Sequence, residues 1–199
     1  MSLDSRSNCE ITHNLVIQIE VERMSKTNNN ALWNAITKDD YNDYLSAISD
    51  ADINEEIDSA NLLEIAISYG ANDIALNLIS RGIDINHRGK NGMTPLHVCA
   101  WYYNQYDCIE LAKSLVSLSK NIDVTDDYGN TPLWYATHFS SLLKYKDNPS
   151  RYDLVKLLVS KGADPLHPNK VNRSPYDFAT IHEDPILLRL LGIDCKTEE

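Results

Sequence analysis

The stretch Gly92-Met93-Thr94-Pro95-Leu96-His97-Val98-Cys99-Ala100 contains the start of a helix. Thr94 can cap that helix, because its hydroxyl oxygen can accept one of the N–H groups of the first turn that have no partner within the helix. Pro95 follows at the first helical position, where its missing N–H has no cost. The residues after it provide a small apolar face, made of Leu96, Cys99 and Ala100.

The same phrase returns as Thr131-Pro132-Leu133-Trp134-Tyr135-Ala136, and a weaker copy begins at Ser174-Pro175. This pattern resembles the ankyrin repeat, whose hallmark is T-P-L-H-x-A in a unit of about 33 residues. The resemblance covers residues 30–195 and implies an all-α fold, an ankyrin-repeat α-solenoid of about five helix-turn-helix units. The signature positions are Thr94, Pro95, Leu96, His97, Thr131, Pro132, Leu133, Ser174 and Pro175.

Five first helices are predicted from the positions that align with Thr94, and their spacings are 31, 33, 37 and 43 residues. These positions are Asn30, Asn61, Thr94, Thr131 and Ser174. The units then lie near 30–54, 55–86, 87–125, 126–168 and 169–195. The first and last units are degenerate, as expected for caps that expose one face to water.

The second helices are predicted near 41–48, 73–79, 109–118, 153–160 and 184–191. Apolar residues at 74, 75, 78 and 79 form one helical stripe. Gly82 is expected in the left-handed conformation that ends a helix. Asn121 stands in the corresponding place in unit three, and asparagine also tolerates that conformation.

Two segments do not fit the repeat. Residues 15–22 alternate between apolar and polar, which predicts a short strand within an N-terminal extension, 1–29. Alternatively, translation starts at Met24 and the preceding residues are an upstream extension. Residues 196–199 form a charged tail.

The links between helices are longer than usual in units three and four, within residues 101–106 and 138–151. Insertions in a solenoid lie at its rim and often carry function. The alternative is that they only lengthen the helix ends and pack their aromatic side chains against each other.

The 199-residue chain has a formal net charge of -11 and is 43% hydrophobic, which suits a single soluble domain. Nucleic acid is an unlikely partner, because phosphate contacts need clusters of Lys and Arg. A basic protein partner fits the charge better, although an acidic surface can also serve solubility alone. The four cysteines form no C-x-x-C pair, which predicts reduced thiols. The sequence shows no apolar run of membrane length and no secretion signal, which predicts a cytoplasmic protein.

The chain has no catalytic motif, phosphate-binding glycine loop or H-E-x-x-H pair, so no enzyme activity, cofactor or metal is expected. A calcium loop around Asp123, Asp126 and Asp127 fails the spacing that such loops require. By the resemblance, Asp126 instead starts a hairpin finger, and His97 links neighbouring units by hydrogen bonds. Trp134, at the histidine position of unit four, is expected to pack between repeats.

The resemblance implies a non-catalytic protein that binds a partner protein through the concave face of fingers and first helices, as a monomer. Aromatic anchors rimmed by charge are typical of protein interfaces. The predicted contact residues are Tyr69, Lys90, Asn91, Trp101, Tyr102, Asp127, Tyr128, His138 and Phe139. Three roles stay open: an immunity protein that inhibits a basic bacterial toxin, an adaptor or secreted effector that engages a host protein, and a regulatory subunit of an enzyme complex.

Overall fold

The computed structural model describes residues 31–48, 53–54 and 56–192. The predicted strand at 15–22, the start at Met24 and the charged tail at 196–199 lie outside the described residues. Within the described part, the regular secondary structure is helical apart from one short hairpin. The predicted all-α repeat fold is therefore confirmed.

Each unit contributes two antiparallel helices. The first helices are α1 (Ala31–Thr37), α3 (Leu62–Tyr69), α5 (Pro95–Tyr102), α7 (Pro132–Ser140) and α9 (Pro175–Ile181). The second helices are α2 (Tyr41–Ala47), α4 (Asn72–Ser80), α6 (Ile109–Leu118), α8 (Asp153–Ser160) and α10 (Pro185–Leu190). The first helices pack side by side in one layer and the second helices in another, which is the arrangement of a solenoid.

Three helix starts have the predicted caps, at Asn61, Thr131 and Ser174. The side chain of Asn61 accepts the backbone N–H of Glu64, and the Glu64 carboxylate accepts the N–H of Asn61 in return. Such a reciprocal capping box satisfies two donors of the first turn. Thr131 caps α7 and Ser174 caps α9 in the same position. Proline occupies the first turn in three of the five first helices, at Pro95, Pro132 and Pro175.

The core lies between the two layers and continues from unit to unit. Leu63, Leu96 and Leu133 occupy the same position in successive first helices, and all three are buried. Leu115 and Leu158 are their counterparts in the second helices. Because each unit buries its apolar face mainly against its neighbours, the core is a continuous strip rather than a single centre.

The ends of the second helices confirm one prediction and correct another. Gly82 has φ +87°, the left-handed conformation that favours glycine. Asn121 does not take this conformation, so its predicted role is wrong. Helix α6 ends instead at Leu118, and the backbone of the next residue, Ser119, is already extended at φ -68° and ψ 129°. The turn of unit three therefore needs no left-handed residue.

The long link of unit three packs on unit two. The Tyr106 ring lies over Gly70, where an added Cβ would be 2.7 Å from Tyr106 Cδ1. Tyr103 is buried, and Tyr102 stacks on Tyr106 with ring centroids 5.9 Å apart. The aromatics of this insertion therefore have a packing role. Link four contains a short 3-10 turn at Leu143–Tyr145.

Two of the four cysteines lie in the described core. Cys99 and Cys108 are buried with their Sγ atoms 3.7 Å apart and no bond between them. The contact with Cys108 and burial raise the pKa of the Cys99 thiol, because both disfavour a thiolate. Both side chains act as small apolar groups in the core of unit three.

Candidate protein-binding face

The loops that lead into the first helices form hairpin fingers. Finger two is a two-stranded ladder of β1 (Glu56–Ile57) and β2 (Ala60–Asn61). Its turn residues Asp58 and Ser59 have φ of 50° and 66°, as a tight hairpin turn requires. We define the tips of fingers three, four and five as residues 88–93, 125–130 and 168–173.

These three tips join into one edge. The backbone N–H of Asp127 donates to the carbonyl of Asn91 at 2.8 Å, and the N–H of Lys170 donates to the carbonyl of Tyr128 at 2.9 Å. Side chains add to this ladder, since Arg88 donates to the carbonyl of Thr125 at 2.9 Å. The tips therefore hold fixed positions relative to one another.

Fingers four and five each contain a side chain that accepts hydrogen bonds from the backbone of its own finger, and we call it the anchor of that finger. One carboxylate oxygen of Asp126 accepts the backbone N–H groups of Tyr128 and Asn130, each at 2.8 Å. Its other oxygen accepts the hydroxyl of Tyr135 at 2.6 Å. Burial and this carboxylate raise the pKa of the Tyr135 hydroxyl, because both disfavour a phenolate. Asn169 anchors finger five with the same pattern.

The predicted contact residues at the tips are exposed. Lys90, Asn91 and Asp127 reach solvent, and 56% of the Tyr128 side-chain surface is accessible. The position after Lys170 in finger five aligns with Tyr128 and holds Val171, which is 75% exposed. Sequence reasoning missed Val171, although its alignment with Tyr128 could have indicated it.

The predicted contact aromatics Tyr69, Trp101 and Tyr102 also pack against rings of the protein itself. Tyr69 packs edge-on against Trp33 of unit one, with ring centroids 5.8 Å apart. Tyr102 belongs to the link of unit three, and Trp101 turns toward unit four. All three predicted residues are half-buried. Each of the three therefore has a packing role, which the sequence spacing did not indicate.

A different aromatic cluster spans units four and five. The Trp134 ring stacks on His138 at 5.2 Å, and His138 meets Phe178 at 4.7 Å. Phe178 in turn contacts His182 at 4.4 Å. All four side chains are half-buried. Trp134 therefore packs between repeats as predicted, and Phe178 is a member of this cluster that sequence reasoning missed.

Phe139 requires a correction. Only 8% of its side chain is exposed, and its ring lies 4.9 Å from Trp101 and 4.8 Å from His138. A side chain enclosed in this way cannot serve as an exposed anchor. Phe139 instead joins the aromatic contacts of unit three to the cluster of units four and five.

His97 links units three and four. Its Nδ1 accepts the backbone N–H of Thr94 at 3.1 Å, so its Nε2 carries the proton and donates to the carbonyl of Asn130 at 3.1 Å. The ring is fully buried, and burial lowers its pKa to about 4. The neutral form is therefore the one that the fold accommodates.

Glu64 occupies the histidine position of unit two and forms a different link. Its Oε2 lies 2.9 Å from Nδ1 of His87, whose Nε2 lies 3.2 Å from Oε1 of Glu56. Burial raises the pKa of Glu64 more than its hydrogen bonds lower it. Burial lowers the pKa of His87, but the two carboxylates outweigh it and the net direction is upward. A carboxylate–imidazole–carboxylate chain therefore joins units two and three.

A family comparison supports what this geometry indicates. Residues 63–169, more than half of the chain, match the family described as ankyrin repeats in three copies. The chain belongs to the ankyrin-repeat family. Ankyrin repeats form protein–protein interaction modules, and the fingers and first helices described above are the elements that such modules use.

Three known proteins have similar sequences. Ankyrin repeat protein OPG189 of variola virus is 28% identical over 131 residues, which cover 66% of this chain and 21% of the relative. Target of rapamycin complex 2 subunit AVO2 of Saccharomyces cerevisiae is 31% identical over 102 residues, 50% of this chain and 21% of the relative. Ankyrin repeat-containing protein P1E11.10 of Schizosaccharomyces pombe is 36% identical over 70 residues, which cover 35% of this chain and 32% of the relative. The chain spans between a fifth and a third of their lengths.

The histidines, cysteines and carboxylates of the described residues form no metal site. Among the residues that the structure describes, no group of three or more His, Cys, Asp or Glu side chains could hold a metal ion. Two carboxylates of the rejected calcium loop have structural roles: Asp126 anchors finger four, and Asp123 accepts the N–H of Asp164 at 3.1 Å. Within the described ranges, no helix combines the length and the apolar character needed to cross a bilayer.

The Glu64 link requires glycine at the start of the third ankyrin finger. An added Cβ at Gly89 would lie 2.6 Å from Oε1 of Glu64, which is closer than real contacts allow. The backbone there has φ -75°, which any residue adopts. We expect Gly89→Ala to lower the free energy of unfolding by about 2 kcal/mol through this clash. Urea unfolding would measure it, and an unchanged midpoint would show that Glu64 moves aside at no cost.

Proposed function

We propose that this ankyrin protein is a non-catalytic binding protein that holds a partner protein on its fingers and first helices. The observation that carries the proposal is the exposure of Tyr128 and Val171 on adjacent tips that are hydrogen-bonded to each other. An exposed tyrosine and valine held on a fixed edge can bury apolar surface against a partner with little loss of conformational freedom.

Half-buried aromatics extend this surface from the tips along the first helices. Trp101, Trp134 and His138 each present part of a ring to solvent while neighbouring rings hold the rest. Packing of this kind fixes the orientation of a side chain before a partner arrives, which lowers the entropic cost of binding. The predicted contacts Tyr69, Trp101, Tyr102 and His138 therefore remain candidates, with a structural role added to each.

A variant of the finger tips would test the proposal. Three proteins would each be used to capture partners from a lysate of the source cell: the wild type, Tyr128→Ser/Val171→Ser and Leu45→Ser/Leu118→Ser. Leu45 and Leu118 are matched controls, because they are 40% and 52% exposed and lie on second helices. We expect the tip variant alone to lose a partner that the other two retain, as read by mass spectrometry.

The three proteins must first show equal helicity and equal unfolding midpoints, so that misfolding does not explain a loss. A partner that survives the tip variant but not the control would place the interface on the second helices. If no protein is captured above background by the wild type, the binding proposal itself fails.

Of the more specific roles, that of a subunit in a larger complex has one observation in its favour, since one relative is named as a subunit of target of rapamycin complex 2. The role of a toxin inhibitor is supported only by the net charge of -11. Size-exclusion chromatography of the native lysate separates the two proposals: a subunit elutes in an assembly of constant composition, whereas an inhibitor is expected in a one-to-one complex with a basic protein.

A further inference from the structure

The finger tips carry a charge opposite to that of the whole chain. Within the tips of fingers three, four and five, the exposed ionisable side chains are four cations and one acid. The cations are Arg88, Lys90, Lys170 and Arg173, and the acid is Asp127. Asp126 also lies in this region, but it is buried and occupied as the anchor of finger four.

The contacts between fingers bring these cations to one surface. Arg88 donates to finger four from one side, at the carbonyl of Thr125, and the Lys170 Nζ donates from the other side to the carbonyl of Asp127 at 2.6 Å. The Asp127 carboxylate and the Arg88 guanidinium both lie over Gly92, where an added Cβ would be 2.4 Å and 2.8 Å from them. Asp127 therefore offsets the charge of Arg88 and leaves the surface positive.

Asp177 lies near enough to Arg173 to interact with it, although its carboxylate also accepts hydrogen bonds from Ser174. Further acids lie around this surface. Asp84, Asp123 and Asp164 are at the bases of the fingers, next to the ends of the second helices. Finger two is acidic, with Glu56 beside His87 and Asp58 at its turn. The potential along the row of fingers therefore changes from negative at finger two to positive from finger three to finger five.

Apolar surface lies between the cations. Tyr128 and Val171 are exposed on the same edge, with Lys90 on the tip of finger three and Lys170 and Arg173 on the tip that carries Val171. An apolar centre with a charged rim is typical of a surface that binds protein. Nucleic acid fits less well, because only four cations are present, one of them is offset by Asp127, and long rows of phosphates require more.

We propose that the partner places an acidic segment containing an apolar side chain across fingers three to five. This inference rests on the proposed binding function and names the chemistry of the partner at that site. It reverses the expectation of a basic partner, which followed from the charge of the whole chain. Over a few ångströms the charges nearest to the contact decide complementarity, because more distant ones are screened by salt.

A selection from a library of random peptides would test this. The full chain, immobilised, would select peptides from a displayed library of twelve-residue sequences, and the enriched peptides would be synthesised for affinity measurements by fluorescence anisotropy. We expect enrichment of Asp and Glu together with an apolar residue. We also expect binding to weaken by about tenfold or more when salt rises from about 50 to about 300 mM.

Two charge variants make the test specific. Arg88→Glu/Lys90→Glu/Lys170→Glu/Arg173→Glu reverses the tips, and Lys113→Glu/Lys120→Glu/Lys156→Glu/Lys161→Glu changes the net charge equally on the second-helix side. The tip variant should bind the selected peptides at least about tenfold more weakly, with the second-helix variant unchanged. Should loss of the Arg88 and Lys170 contacts unfold the protein, Lys90→Glu/Arg173→Glu leaves those contacts in place.

The outcomes separate this inference from the proposed function. If peptides without acidic bias are enriched and Tyr128→Ser/Val171→Ser releases them, the binding site stands but the acidic partner is wrong. Equal binding by the two charge variants would overturn the inference as well. Tighter binding of a single-stranded oligonucleotide than of any selected peptide would assign the surface to nucleic acid instead.

Discussion

At pH 7, His97→Ala is expected to lower the free energy of unfolding by about 3 kcal/mol. The substitution removes a fully buried ring and leaves the N–H of Thr94 buried without its partner. The carbonyl of Asn130 loses the imidazole N–H but keeps the backbone N–H of Asp126. It also breaks the link between units three and four. Urea unfolding monitored by far-ultraviolet circular dichroism would measure the loss, and a change below about 1 kcal/mol would show that water replaces both hydrogen bonds.

The same residue makes stability depend on pH. The pKa of His97 is about 4 in the folded protein and about 6.5 in an unfolded chain, so folding favours the neutral ring. The stabilisation of the folded state by neutral His97 is present above pH 6.5 and is lost as the pH falls from 6.5 toward 4. By linkage, about 2 kcal/mol should be lost between pH 7 and pH 4.5.

The control is His97→Gln, which retains one acceptor and one donor but does not titrate in this range. Both proteins have the same carboxylates, so the difference between their stabilities isolates the histidine. This difference should narrow by about 2 kcal/mol between pH 7 and pH 4.5. Parallel pH curves for the two proteins would contradict the burial that lowers the pKa.

Phe139→Ala is expected to lower the free energy of unfolding by about 3 kcal/mol, as is usual when a buried phenylalanine is truncated. The ring lies between Trp101 and His138, so its removal leaves a cavity between units three and four. Tyr128→Ala is the matched control, and its exposed ring should cost less than about 0.5 kcal/mol.

Chemical unfolding of both variants, with capture of the partner as a second measurement, separates packing from binding. We expect Phe139→Ala to reduce stability and Tyr128→Ala to reduce binding. A Phe139→Ala protein that retains its stability but loses the partner would restore the binding role that the sequence predicted for Phe139.

The fold could be predicted because the residues that start and end its helices act locally. A cap such as Thr131 followed by Pro132 starts a helix whatever surrounds it, and Gly82 ends one for steric reasons alone. Asn121 shows the limit of this reasoning. Its side chain permits the left-handed conformation but does not require it, and the extended backbone at Ser119 made the turn without it.

The binding face could be predicted only in part, because side-chain direction depends on the neighbouring unit. Trp101 and Tyr102 are adjacent in the sequence, yet one contacts Phe139 of unit four and the other stacks on Tyr106 of its own link. The tips were simpler, since a turn residue such as Tyr128 has no neighbour to cover it. Net charge has the same limit, because it sums the cations of the tips with acids that lie elsewhere along the chain.

The links at the histidine position have a consequence for the order of the units. Glu64 contacts a glycine and a histidine of the finger that follows it, Gly89 and His87. At the next junction His97 donates to the backbone carbonyl of Asn130. At the last one Trp134 packs against the ring of Phe178. Excising unit three would place the Glu64 carboxylate beneath finger four, where Asp126 stands in the place of Gly89. Two acids would then share one buried space. The units of this protein are therefore not interchangeable, because the residues at each junction fit only the unit that follows.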